Sequence, residues 1–260
     1  MAAQGSAGIG IMKILADLAV TLLLWTYYIL GFIFFFSPFY LFCFLFSSDR
    51  EMSFQKLNSK LYRGFFALLH FLVPQVTWRV SDAVYAIRSS VIIANHQSFL
   101  DPILFISLFP RQKTVVKKRY FGVPIFGWIL KASGYIPAFI GDSGADILLE
   151  QIGKMKDYLE RGGNLFMFPE GTRSRDDGVK PFEKGAFRIA KLCGAPLQVV
   201  VIRNTGRLYI PGRFLFNTRE RFTISVEVVG ALNPDYHSDT FSLSKVMAEA
   251  HNLMEKGTGV

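Results

Sequence analysis

Ile14 to Phe36 is a run of 23 residues with a single charge, Asp17, and a few small or hydroxylated side chains. Pro38 interrupts it, and Phe39 to Phe46 adds eight nearly all-apolar residues. About 20 apolar residues cross a bilayer core, so the run is long enough to span one. As one straight helix, Ile14–Phe46 would extend roughly 50 Å at ~1.5 Å per residue, against a core of ~30 Å. A break or hairpin is therefore expected at Ser37-Pro38, where proline removes a donor and restricts its predecessor. A cleaved signal peptide fits poorly, because the run is long and Lys13 is the one charge before it. Arg50, Lys56, Lys60 and Arg63 follow closely, and positive-inside logic puts the body on the cytoplasmic face. The division expected is an anchor over 1–53, spanning or dipping into one leaflet, and a body over 54–260.

Residues 1–48 contain only Lys13 and Asp17, so all nine net positive charges lie beyond position 48. A basic body behind an apolar head points to an anionic partner: nucleic acid, an anionic membrane or phosphorylated substrates. The head favours the membrane. Hydrophobic residues at 51% and charged residues at 19% exclude a disordered or collagen-like chain. Two cysteines, Cys43 and Cys193, make neither a disulfide framework nor a cysteine zinc site.

Apolar spacing predicts a helix over Leu57–Leu72 and another over Ala145–Arg161, the latter with Leu148, Ile152, Met155 and Leu159 on one stripe. Val76–Val80, Val91–Ala94, Asn164–Phe168 and Leu197–Ile202 read as strands, and Arg221–Val229 as a half-exposed one. Helices are predicted at about Glu183–Cys193 and Leu243–Met254. Alternation of this kind argues for an α/β body: a mixed central sheet flanked by helices.

Two motifs sit directly after strands, where α/β sheets tend to place ligands. Asn95-His96-Gln97-Ser98-Phe99-Leu100-Asp101 offers a proton acceptor and a carboxylate five residues on. On a regular helix that offset turns about 140°, so the pair meets only if His96 lies on the loop and Asp101 in a first helical turn. Ser98-Phe99-Leu100-Asp101 is also a capping-box pattern. Spacing alone leaves cap and dyad open, and the two are compatible. The second motif, Phe168 to Ser174, contains Gly171 for close backbone approach and Arg173 for a phosphate, with an ordinary turn as the competing reading. Basic residues Arg175, Lys180, Lys184 and Arg188 follow. A further basic stretch, Lys113, Lys117, Lys118 and Arg119, reads mostly as a solvated face or a headgroup contact. His70, His237 and His251 have no partner at zinc-ligand spacing, and no phosphate cradle or nucleic-acid recognition module is found.

Together, NHQSFLD and FPEGTRS, about 70 residues apart, resemble the paired blocks of glycerolipid acyltransferases, most closely the bacterial 1-acylglycerol-3-phosphate acyltransferases. Tyr120 to Trp128 and Lys180 to Ala186 add supporting fragments, and the resemblance runs from about Leu57 to Gly230. It implies that His96 is the general base of a His-x4-Asp motif and Asp101 its orienting partner. It implies too that Glu170, Gly171, Thr172 and Arg173 hold the acyl acceptor, with Lys117 as a further phosphate ligand. The acyl donor would be a thioester on coenzyme A or acyl carrier protein, the product phosphatidic acid, the partners membrane lipids, with no metal, other cofactor or nucleic acid. Two positions depart from the family. Ile140 stands where the second motif usually has an Arg, and Val199 where the fourth usually has a second proline. The missing Arg keeps open a related enzyme acting on another lysolipid or an aminolipid. A thioesterase, and a membrane lipid-binding protein in which His96 and Asp101 only cap a helix, are the remaining alternatives.

Overall fold

The computed structural model describes residues 2–138, 145–173 and 178–259. Helix α1 (Ala2–Thr26) runs into a π-helical stretch, Tyr27–Phe36, and then α2 (Ser37–Phe46). The break expected at Ser37-Pro38 is absent: Ile11–Phe46 is helical throughout and is long and apolar enough to cross a membrane. The π register explains why Pro38 is tolerated. The Ser37 N–H reaches Phe32 O, five residues back, so Pro38 would next serve Ile33 O. Ser37 Oγ donates to that carbonyl instead.

The chain reverses at Ser47–Asp49 into α3 (Arg50–Leu72), whose N-terminus is capped by the Asp49 carboxylate accepting from Met52 N–H. Helix α3 thus starts seven residues before the apolar spacing suggested. It lies antiparallel against the first helical run: Tyr40 Oη donates to Asn58 Oδ1, Tyr28 meets Tyr62, and Tyr27 Oη donates to Leu61 O. Gly64 lets Tyr27 in, since a Cβ there would lie 2.0 Å from its hydroxyl. The opposite face stays open, with Phe34, Phe35, Phe42 and Phe46 each more than 60% exposed.

The body follows as β1 (Val76–Val80), α4 (Asp82–Ala86), β2 (Val91–Ala94), α5 (Leu100–Leu108), β3 (Gln112–Lys117), α6 (Phe126–Ala132), β4 (Ile136–Ala138), α7 (Ala145–Glu160) and β5 (Asn164–Met167). It ends with α8 (Gly185–Cys193), β6 (Leu197–Arg203), α9 (Thr205–Leu208), β7 (Phe222–Leu232) and α10 (Leu243–Thr258). Among the described residues, seven strands form a sheet in the order β1-β7-β6-β2-β5-β3-β4. Only the β6–β7 pair is antiparallel. The mixed sheet flanked by helices is the fold that strand and helix alternation predicted.

Strand β2 is buried on both faces because its side chains alternate. Ile92 and Ala94 pack with Phe65, Leu69 and Phe105 from α3 and α5, while Val91 and Ile93 pack with Phe187 and Met254 from α8 and α10. Of the stripe predicted on α7, Met155 and Leu159 are buried; the side chains of Leu148 and Ile152 lie outside the described set, as do Ile140 and Arg175.

Candidate active site

Strands β5 and β6 flank β2 and run parallel to it, so three strand-end loops converge at one edge of the sheet. The first begins at Asn95. Its amide extends the ladder onto β6, donating to Ile202 O at 2.8 Å and accepting from Ile202 N–H at 2.7 Å. His96 therefore leaves the sheet from a fixed point, still on the loop, and Asp101 lies in the first turn of α5.

Asp101 is fully buried and satisfied by four donors. Oδ2 accepts from the Gln97 and Ser98 N–H groups, at 2.6 and 2.7 Å, and lies 3.0 Å from His96 Nδ1. Oδ1 accepts from Thr205 Oγ1 at 2.6 Å. The two backbone donors make Oδ2 an acceptor, so Nδ1 carries the proton. In neutral His96 the lone pair is then on Nε2. The carboxylate closes a helix start and orients the imidazole at once, so cap and dyad geometry coexist. The imidazole, 18% exposed, stacks on Phe168 with centroids 4.3 Å apart.

The second loop continues β5. Glu170 turns inward and accepts from the His96 N–H at 3.2 Å and from the Lys180 N–H at 3.4 Å. Burial raises its carboxyl above the ordinary value, against those two hydrogen bonds and the charges of His96 and Lys180. Glu170 thus ties the two motif loops together. Gly171 holds φ at +67°, a conformation that costs a side chain strain. Thr172 and Arg173 are exposed, and Lys180 Nζ donates to the Arg173 carbonyl at 3.0 Å. Arg173 is close enough to Tyr209 to oppose the rise that burial gives its hydroxyl.

Lys117 is exposed at the carboxyl end of β3, two strands from β2, or about 10 Å at strand spacing. Lys113 departs from the solvated reading. It is 7% exposed, pairs with Glu51 Oε1 at 2.9 Å and lies over the Tyr158 ring. Strand β3 and the N-terminus of α3 bury it between them.

Sequence reasoning missed Thr205. It follows Asn204, a left-handed residue at φ +67°, at the end of β6, and its hydroxyl is wholly buried on Asp101. The signal was a third strand-end loop beside the two already found. A cavity of about 490 Å³ lined by Arg63, His70, Trp78 and Tyr85 lies elsewhere and contains none of these residues. Among the described residues no cluster of His, Cys, Asp and Glu is arranged to hold a metal.

Residues 75–203 match the protein-family model described as Acyltransferase. The chloroplastic 1-acyl-sn-glycerol-3-phosphate acyltransferase BAT2 of Brassica napus is 34% identical over 122 residues, 47% of this chain and 35% of that one. A 1-acyl-sn-glycerol-3-phosphate acyltransferase of Haemophilus influenzae is 27% identical over 199 residues, 76% of this chain and 77% of that one. The crystal structure of the 1-acyl-sn-glycerophosphate acyltransferase PlsC from Thermotoga maritima shares the fold, with a TM-score of 0.70 at 22% identity, over 95% of this chain and 97% of that one. The chain spans about a third to a half of the length of the first curated relatives it matches.

Proposed function

The chain belongs to the acyltransferase family, and on that premise we propose that it moves a fatty acyl group from a thioester to the sn-2 hydroxyl of 1-acylglycerol-3-phosphate. The observation that carries the reading is the His96 Nδ1–Asp101 Oδ2 hydrogen bond, with Oδ2 already committed as an acceptor.

His96 Nε2 takes the hydroxyl proton as the acceptor oxygen attacks the thioester carbonyl. General-base assistance of this kind contributes about 10²–10⁴ in rate. Asp101 keeps the tautomer and stabilises the imidazolium. On collapse the C–S bond breaks, and His96⁺ returns the proton to the leaving thiolate. The thioester is already activated, so no covalent enzyme intermediate is needed. Arg173, exposed on the loop that continues β5, serves as a bidentate phosphate ligand, with Lys117 farther along the same edge. Gly171 lets the loop backbone approach the acceptor, and Thr172 presents a hydroxyl beside it. Glu170, facing inward, serves through the loops it joins. The donor is coenzyme A or acyl carrier protein. Residues 1–53 act as the membrane anchor, and the body, 54–260, works on the cytoplasmic face.

Ile140, in place of the family's second-motif Arg, favours a second reading in which the acceptor is another lysolipid or an aminolipid. Thiol release from an acyl thioester, followed with purified full-length protein with and without lysophosphatidic acid, tests both. Release that requires the lyso-lipid, yields phosphatidic acid and disappears in His96→Ala supports the first. Release with a different acceptor alone transfers support to the second. No release with any acceptor would sink both.

A further inference from the structure

Helix α1 carries a stripe that anchoring does not explain. Lys13, Asp17, Thr21 and Trp25 recur every four residues and share one face. Successive turns of that face meet the segment Phe214–Glu220, between α9 and β7, every second residue and in reverse order. Trp25 stacks on Phe214, with centroids 6.4 Å apart and planes 4° from parallel. Thr21 Oγ1 accepts from Phe216 N–H at 3.0 Å. Asp17 Oδ1 accepts from Thr218 twice, from its N–H at 3.0 Å and its hydroxyl at 2.6 Å. Lys13 lies near Glu220, whose carboxyl is held below its ordinary value by the Asn217 and Arg207 hydrogen bonds first and by Lys13 among the weaker influences.

The spacing works because four helical residues climb about 6 Å and two extended residues advance about 6.6 Å. Asp17 and Thr218 are 7% and 2% exposed. A carboxylate on an apolar helix is costly unless its hydrogen bonds are supplied, and here the segment supplies them.

The chain leading into that segment reaches the dyad loop. Ser98 Oγ donates to Tyr209 O at 2.9 Å, and Asn217 N–H donates to Leu208 O at 2.8 Å. Phe99 stacks on Trp25 and meets Tyr209 edge-on. Phe99 and Phe214 are 37% and 57% exposed, so an aromatic path leads from the apolar surface of α1 towards the loop that carries His96. Tyr209 in turn has Arg173 nearby.

We infer that α1 positions the acyl-acceptor side of the site: Asp17 is a positioning residue that latches Tyr209–Glu220 as the wall beside the dyad. This rests on the acyl-transfer reading above. The latch makes the helix part of the site as well as its tether.

The test uses full-length protein in vesicles containing anionic phospholipid. Asp17→Leu removes both hydrogen bonds to Thr218 and leaves the helix apolar, so vesicle co-sedimentation should be unchanged. The apparent KM for lysophosphatidic acid should rise, lowering kcat/KM about 10–100-fold, while the thioester KM stays within about twofold. Asp17→Asn, which keeps an acceptor oxygen, should recover most of the loss. Trypsin should cut at Arg213 and Arg219 faster in Asp17→Leu, whatever the activity. A wild-type acceptor KM in Asp17→Leu would overturn the inference, as would equal losses for both substrates with a lowered Tm. If the wild-type protein transfers no acyl group, the acyl-transfer reading falls, and proteolysis decides the latch. Unchanged cleavage then overturns it, and faster cleavage upholds it.

Discussion

Among the described residues, two buried aspartates hold loops, and they do so at opposite ranges along the chain. Asp101 gathers donors three to five residues away and adds one distant threonine, Thr205. Asp17 takes both of its donors from Thr218, 201 residues away. Each ends on a threonine hydroxyl at 2.6 Å. The same chemical device serves different ends. Around Asp101 it builds one local loop and sets one imidazole. At Asp17 it joins the long apolar helix to a remote segment. A local device has a motif, whereas a remote one leaves only a single charge out of place.

The comparison breaks most sharply at the imidazole itself. His96→Ala should lower kcat by about 10²–10⁴-fold with little change in Tm, read by thiol release and thermal unfolding side by side. Normal turnover would reduce Asp101 to a helix cap. Asp101→Asn sharpens the point. Its oxygen still accepts from Gln97 and Ser98 while the charge that stabilises the imidazolium is gone, so kcat should drop in a folded protein. Asp101→Ala leaves those buried donors unpaired and should cost about 3–5 kcal/mol in urea unfolding.

The two threonines form a matched pair. Thr205→Val and Thr218→Val each remove one hydrogen bond to a buried carboxylate, worth about 1.5–3 kcal/mol. Similar stability losses are expected, with kcat falling in the first and the acceptor KM rising in the second. Identical kinetic effects would erase the distinction between the two aspartates.

Smaller effects belong to the neighbouring loop. Gly171→Ala forces a left-handed residue and should cost about 1–2 kcal/mol; its Cβ would lie 3.1 Å from the flexible Glu183 side chain. Glu170 gives the mildest signal. Because its carboxyl is raised by burial, the folded protein keeps that proton to higher pH than the unfolded chain does. Its contribution to stability is therefore largest in acid, falls as pH rises from the ordinary carboxylate range through the folded value, and is level above it. Glu170→Gln cannot lose a proton, so its stability relative to wild type should improve across that window. A relative stability that worsens would contradict the assignment.

Strands β1 and β2 were legible to the residue, β2 as a continuous apolar run bounded by polar loops and β1 through the alternation of Val76, Trp78 and Val80. Strand β3 was not. Gln112, Lys113 and Thr114 look solvated, yet all three are buried, and Lys113 is accommodated by Glu51 and the Tyr158 ring. The partners lie 62 residues before it and 45 after it, beyond any periodicity. Pro38 misled for a related reason. Proline ends an ordinary helix, but the π register ahead of it and the Ser37 hydroxyl absorb the missing donor.

By itself, the sequence determined what depends on neighbours along the chain: an apolar run long enough to cross a membrane, alternating strands and helices, and a histidine and aspartate spaced to meet at a loop-to-helix junction. Tertiary structure decided what depends on distant atoms sharing one place. It put Thr205 on Asp101, Glu170 across the two motif loops, and Asp17 on Thr218. Hydrogen bonds and buried charges are satisfied at about 3 Å whatever the separation in sequence, and only the folded chain shows which groups come that close.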